Sequence, residues 1–353
     1  MSISAGKLRG LKRLADPSGR FKMLAVDQRP PLLKAIGERM GRPAAYEEVA
    51  GVKALLTRRL SADGSALLID PDYGFTTAEP DIRPDRGLLI TLEDFRFDET
   101  PGGRKTHLPK DWSVAKIKRM GADGVKLLLW YRPDAAADVL AHQQQLVRDV
   151  GDACAEQDIA LLLELLVYPF AGQTGHTTDY IEDRTKRPDL VLQSVRDFAS
   201  PDFGVDIYKL ESPLPAGSLP DPAADGPDTR EAQAWFDRLG ALIDKPWVML
   251  SAGAGMEEFR RVLGFAYRAG ANGYLAGRAI WWKAFGAFPD LAAMDQALAT
   301  DGRRYMVEIN ALTDQLAKPW HQGGLEGGRL ALAEAGIDFP GRYSAPRAGR
   351  STA

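Results

Sequence analysis

The sequence predicts an α/β protein, a single (β/α)8 TIM barrel with extra helices at its N- and C-terminal ends. Three observations predict it. First, eight short runs, often rich in Val, Ile and Leu, alternate with segments of helical period, the pattern of repeated βα units. Second, a short phrase recurs at three helix-to-strand junctions, as SADGSA at 61–66, GADGV at 121–125 and GANGY at 270–274. Glycine and asparagine accept the left-handed conformation that ends a helix, so one local solution is expected at all three. Third, Asp27, Asp70, Glu93, Lys126, Glu164, Lys209, Ser251 and Arg278 lie within or at the ends of eight different runs. A barrel gathers such positions around one mouth, whereas a doubly wound open sheet of the same periodicity spreads them along a line.

In chain order the runs are FKMLAVD (21–27), SALLID (65–70), GLLITLE (87–93), GVKLLLWY (124–131), LLLELLVY (161–168), VDIYKLES (205–212), WVMLSAG (247–253) and GYLAGR (273–278). Helices between them are read from their apolar faces. Val49, Val52, Leu56 and Leu60 form one; Trp235, Leu239 and Leu242 another; Phe259, Val262, Leu263, Ala266 and Tyr267 fall at i, i+3, i+4, i+7 and i+8. Segments 95–112 and 211–229, rich in glycine, proline and charge, read as long loops over the mouth, and loops of that length are usually functional. No linker divides the 353 residues into two domains. Barrel strands occupy about 21–278, a helical extension about 286–345, and the tail SAPRAGRSTA is read as loose. The aromatic stretch AIWWKAFGAF (279–288) serves either a subunit interface, making a homo-oligomer, or the packing of the C-terminal helices on the barrel.

Composition bounds the function. A hydrophobic fraction of 45% with 26% charged residues fits a soluble globular enzyme or binding protein. The 45 basic and 48 acidic residues leave a formal charge of -3, so no basic field exists for a nucleic-acid partner. The start, MSISAGKLRGLKRL, lacks an apolar core of signal-peptide length, and no uninterrupted apolar run is long enough to span a bilayer. A cytoplasmic protein without a membrane partner is expected. Cys154, the single cysteine, excludes an intrachain disulfide and is assigned to packing.

Chemistry enters with a charge in the wrong place. In GVDIYKLESP (204–213), Lys209 interrupts an apolar strand, where an ammonium is costly to desolvate. Alternation puts Ile207, Lys209 and Glu211 on one side, the lumen if that side faces inward. Lys126 in the fourth run and Glu164 in the fifth repeat the oddity, so two lysines are expected to flank one glutamate. A structural ion pair accounts for any one of these charges; three on consecutive strands point to a catalytic site. A neutral amine, favoured by desolvation and by a neighbouring ammonium, attacks a ketone to form an iminium, and Glu164 moves the protons. That chemistry makes or breaks a carbon–carbon bond beside a carbonyl.

The seventh run enters SAGAG (251–255) and the eighth AGRA (276–279), glycine turns whose N–H groups, with Arg278, form a candidate phosphate site. His107, His142, His176 and His321 are scattered without metal-ligand spacing, so neither a metal nor another cofactor is expected.

The blocks AVDQR (25–29), GADGVKLLLWY (121–131), LLLELLVYP (161–169), DIYKLESP (206–213), LSAGAG (250–255) and LAGRAIW (275–281) together resemble the class I tagatose 1,6-bisphosphate aldolase family, which includes sulfofructosephosphate aldolases. The resemblance implies a (β/α)8 barrel and metal-free cleavage of a ketose 1,6-bisphosphate to dihydroxyacetone phosphate and glyceraldehyde 3-phosphate. It places the Schiff base on Lys209, the strand-five glutamate on Glu164, the strand-four lysine on Lys126, and the phosphate turns on Ser251, Ala252, Gly253, Gly277 and Arg278. Asp27, Gln28 and Arg29 follow as substrate contacts from the DQR block. Two prolines after DQR and the proline-rich segment after Lys209 depart from the family pattern. They leave open whether the distal group is a phosphate or, in a sulfofructosephosphate aldolase, a sulfonate that would leave as sulfolactaldehyde. A barrel that binds a sugar phosphate without turning it over is the rival from another class.

Overall fold

The computed structural model describes residues 2–176, 187–321 and 331–343. Eight parallel strands close into a barrel: β1 (Phe21–Ala25), β2 (Ala66–Ile69), β3 (Gly87–Thr91), β4 (Gly124–Trp130), β5 (Ala160–Leu166), β6 (Ile207–Leu210), β7 (Trp247–Met249) and β8 (Gly273–Ala276). Closure is direct, with Gly273 of β8 paired to Phe21 of β1. The open-sheet alternative is thereby removed, and all eight predicted runs are barrel strands.

Strands end earlier than the apolar runs. Asp27, Asp70, Glu93 and Ser251 lie beyond the last ladder residue, on the loops at the C-terminal mouth, and Arg278 opens the helix Arg278–Phe285 there, while Lys126, Glu164 and Lys209 lie inside strands. Single backbone bonds persist just past the ladders, such as Val26 N–H to Leu68 O at 2.8 Å and Leu92 N–H to Lys126 O at 2.9 Å, and they carry the next residue to the rim.

Two apolar layers form the core. Inside, Phe21, Met23, Ala25, Leu68, Leu89, Leu162, Ile207, Val248 and Leu275 fill the lower lumen. Leu11 and Leu14 of the N-terminal helix Ala5–Leu14 close this cluster from below. Outside, the opposite faces of the strands pack on the helices, including every member of the predicted face of Met256–Arg268. Each fully buried Leu or Ile contributes roughly 1.5–3 kcal/mol. Cys154 is buried among these residues.

The recurring phrase is not one solution. Gly121 and Gly270 are left-handed, with φ of 89° and 100°, but the equivalent residue of the first copy, Ser61, is right-handed at φ -63° and opens a 3-10 turn over Ser61–Asp63. What the second and third copies share is a side chain that caps the preceding strand. Asp123 Oδ2 accepts from Leu88 N–H at 2.9 Å, and Asn272 Oδ1 from Trp247 N–H at 3.0 Å.

The first presumed loop contains an antiparallel hairpin, Phe97–Thr100 with Gly103–Thr106. Arg104 pins it, being fully buried beside the rings of Phe97, Trp130 and Tyr168 at 4.4, 4.7 and 4.6 Å. The second contains a 3-10 turn, Ala216–Ser218, and the start of helix Pro227–Gly240. Helices Leu291–Ala297 and Arg303–Leu316 follow the barrel, and the 344–353 tail lies outside the described residues. In the aromatic stretch Trp281, Phe285 and Phe288 are buried, and Trp281 Nε1 donates to Ala25 O at 3.0 Å. Most of the stretch therefore seals the barrel wall; Trp282 is 37% exposed.

Candidate active site

Register builds the centre. Glu164 of β5 stands level with Lys209 of β6 and with Leu128 of β4, which leaves Lys126 two residues lower on its strand. Its long stem rises beside the other two. Lys209 Nζ donates to Glu164 Oε2 at 2.9 Å, and Lys126 Nζ lies 3.0 Å from the same oxygen. Two lysines thus flank one glutamate, as the strand positions imply. All three are buried.

Lys126 meets three carboxylates. Besides Glu164, its ammonium donates to Glu93 Oε1 at 2.8 Å and to Asp27 Oδ2 at 3.1 Å. Burial works against its proton, but Glu164, Glu93 and Asp27 outweigh it and hold the pKa well above that of an ordinary lysine. Lys126 is accordingly a fixed cation with each N–H spent on a carboxylate. Burial disfavours ionised Asp27 as well, yet Lys126, Lys209 and Lys53 keep its carboxyl well below the usual range. Asp27 Oδ1 and Gln28 Oε1 are buried and have no hydrogen-bond partner among the described residues. Both residues line the mouth of the barrel, so these oxygens are available to a ligand.

Arg29 Nη1 donates to Asp72 Oδ2 at 2.8 Å and Nη2 to Glu93 Oε1 at 3.2 Å. Behind this layer Lys53, wholly buried on helix Tyr46–Leu60, donates to Val26 O and to Asp70 Oδ2, both at 2.5 Å. It ties the ends of β1 and β2 together next to Asp27.

Ser251, Ala252, Gly277 and Arg278 line the same pocket, about 490 Å3 of empty space including the open mouth. Ala252 and Gly253 are consecutive left-handed residues, with φ of 45° and 82°. Gly253 forms this turn but is not itself in the lining. Gly277 caps helix Arg278–Phe285, and a Cβ there would sit 2.3 Å from Ala25 O. Only a glycine lets β8 and β1 come this close at the rim.

Of the residues singled out from sequence, Lys209, Glu164, Lys126, Asp27, Gln28, Arg29, Ser251, Ala252, Gly277 and Arg278 come together here. Glu93, read from sequence only as one of the polar strand-end positions and given no role, joins them, and Lys53 is an addition. Glu93 stands at a strand end but without visible partners in the sequence. Lys53 lies four residues after Val49 and three before Leu56, on the buried face of its helix, and that spacing is the signal that marks it. His107 and His142, distant in sequence, meet edge to face at 5.4 Å. Among the described residues no three His, Cys, Asp or Glu side chains are grouped to hold a metal ion, and no helix is long and apolar enough to cross a membrane.

Comparison with known proteins agrees with this geometry. Residues 21–283 match the family model of DeoC/LacD family aldolase. The chain is 33% identical over 328 residues to tagatose 1,6-diphosphate aldolase 2 of Enterococcus faecalis, covering 91% of this chain and 97% of that one. It is 30% identical to tagatose 1,6-diphosphate aldolase 2 of Streptococcus mutans, covering 91% and 98%. Among solved structures, a Plasmodium falciparum fructose-bisphosphate aldolase superposes with a TM-score of 0.60 at 13% identity, over 93% of this chain and 98% of that one. An archaeal fructose 1,6-bisphosphate aldolase gives 0.54 at 16%, over 87% and 98%. These similar structures share the barrel. With a family match that spans the barrel from β1 past β8, and two lysines and a glutamate converging inside it, the chain belongs to the DeoC/LacD family of aldolases.

Proposed function

We propose that this aldolase is a class I, Schiff-base enzyme that reversibly cleaves a ketohexose 1,6-bisphosphate, tagatose 1,6-bisphosphate foremost, to dihydroxyacetone phosphate and glyceraldehyde 3-phosphate. One observation carries the reading: Lys209 Nζ and Lys126 Nζ converge on a single oxygen of buried Glu164. The names of the relatives from Enterococcus and Streptococcus support the choice of substrate.

In this reading Lys209 and Glu164 share one proton. With the proton on Glu164, the amine of Lys209 adds to the C2 carbonyl. Glu164 then protonates the carbinolamine oxygen, water leaves, and an iminium remains. A base removes the proton from the C4 hydroxyl, and the C3–C4 electron pair moves into the enamine as the aldehyde departs. Protonation at C3 and hydrolysis restore Lys209. Asp27 Oδ1, buried and unpartnered, receives a substrate hydroxyl, with Gln28 beside it. Ser251, Ala252, Gly277 and Arg278 surround the C1 phosphate in the turn that Gly253 shapes, where backbone N–H groups and a guanidinium meet the anion. Arg29, engaged by Asp72 and Glu93, holds the loop after β1 against the substrate.

Borohydride added with dihydroxyacetone phosphate tests the proposal. The expected result is a stable adduct on the peptide bearing Lys209, absent from Lys209→Met. Turnover in that variant falls by roughly 10⁴-fold or more while phosphate binding persists. Turnover that requires an added divalent cation, with no adduct formed, overturns the scheme.

A further inference from the structure

Glu93 touches neither the amine nor the phosphate turns, yet it is among the most buried ionised groups at the mouth, with its side chain 1% exposed. Its oxygens divide their work. Oε1 receives Lys126 Nζ at 2.8 Å and Arg29 Nη2 at 3.2 Å, and Oε2 receives Leu128 N–H at 3.0 Å. Leu128 is the β4 residue level with Glu164. A carboxylate anchored on the backbone at that height grips the ammonium that Glu164 also contacts.

Formal charges sharpen the point. Facing the Lys209–Glu164 pair are Lys126, Asp27, Glu93, Arg29 and, across the pocket, Arg278. Behind them Lys53 is paired with Asp70, and Asp72 at the rim pairs with Arg29. Lys126, Arg29 and Arg278 are balanced by Asp27, Glu93 and Asp72, so the single proton left to move is the one between Lys209 and Glu164. Without Glu93 an uncompensated cation would stand against that pair.

We infer that Glu93 is a positioning residue for the reaction, holding Lys126 in place and balancing its charge beside the pair, Lys209 and Glu164, that exchanges the proton. This rests on the assignment of Lys209 as the imine-forming amine. Glu93→Gln keeps an acceptor for Leu128 N–H and removes the charge. A lost negative charge makes neighbouring groups release protons more readily, so both limbs of the pH–kcat profile move to lower pH.

The test is the pH dependence of ketohexose 1,6-bisphosphate cleavage by the full chain. For Glu93→Gln we expect both limbs displaced downward by about one pH unit, the size of shift a charge within about 4–6 Å produces. Alongside, kcat falls by about tenfold or more while KM stays within about threefold, the split of a group that acts on the transition state and not on binding. Glu93→Asp retains the charge and should leave the limbs in place with a lower kcat. Glu93→Gln combined with Arg29→Gln restores neutrality and should return the limbs to their wild-type positions. Limbs unmoved in Glu93→Gln, or displaced in Glu93→Asp, overturn the inference. Should Glu93→Gln not fold, wild-type limbs in both other variants support it and displaced limbs in either overturn it. Borohydride trapping of the wild type is scored separately: a missing adduct removes the imine, and the position of the limbs is read from turnover alone.

Discussion

Replacing Lys126 with methionine probes the centre of the charge cluster while nearly preserving its volume. The ammonium is 3% exposed and lies 2.8, 3.1 and 3.0 Å from Glu93, Asp27 and Glu164. Each contact is worth about 5 kcal/mol at an effective dielectric of about 20. Desolvation of the ammonium offsets part of that sum, and removing one partner of a buried network destabilises by about 3–5 kcal/mol. Most of the loss comes from three carboxylates left without their shared cation, so it depends on pH. Asp27 has a depressed pKa in the folded protein, hence the stability it contributes is present above its unfolded value of about 3.9 and disappears as pH falls through the folded value. In Lys126→Met that depression is largely lost. The deficit should therefore be greatest near neutrality and shrink toward about pH 4 as the carboxylates protonate. Urea titrations of wild type and variant at a series of pH values measure it, and kcat should fall by about 10²-fold or more. A variant as stable as wild type at neutral pH, or a deficit that grows on acidification, would refute the picture of Lys126 as the shared counter-ion.

Two further outcomes test the surroundings. Gly277→Ala places a methyl 2.3 Å from Ala25 O and 3.0 Å from Trp281 Nε1, wedging apart the bond between them. The expected effect is about 1–3 kcal/mol of destabilisation with a raised KM for the phosphorylated substrate; an unchanged KM would detach this turn from the phosphate. Burial pushes the Cys154 thiol up to about 12, so iodoacetamide at pH 8 should label it only after unfolding, and rapid labelling of the native enzyme contradicts its placement.

The barrel and the reactive core of the site are legible because charge inside an apolar run is conspicuous. Lys126, Glu164 and Lys209 each break a strand of aliphatic residues, and pairing of neighbouring strands then forces them together. Glu93 follows its strand, where polar residues are ordinary, and its meaning arises only from side chains of β4 and the loop after β1. Lys53 is harder still, since a lysine on an amphipathic helix is usually solvated; only its place between Val49 and Leu56 betrays the buried amine. The hairpin at 97–106 escapes because, apart from Phe97, its arms FDET and GRKT carry no apolar side chain, leaving Pro101 and Gly102 to read as one more loop. Its fold depends on Arg104 finding three aromatic rings contributed by the hairpin itself, β4 and the loop after β5.

Stability does not explain why so many ions are kept at this end of the barrel. The lower lumen, capped by Leu11 and Leu14, holds a contiguous cluster of buried apolar side chains, so the same strands also pack without ion pairs. Buried ion clusters exchanged as a set for apolar side chains of similar volume are generally neutral or stabilising by about 1–4 kcal/mol, so the mouth sacrifices stability relative to the floor. What the charged layer adds is one unbalanced choice: among Lys126, Arg29, Asp27, Glu93, Lys209 and Glu164, two cations and two carboxylates lock each other and the remaining amine and acid compete for a proton. An apolar floor makes that competition sensitive to small changes, because charges beside a low-dielectric cluster are weakly screened. The rigid lumen and the poised pair are thus consequences of the same packing, and the chemistry is confined to the one rim where a substrate arrives.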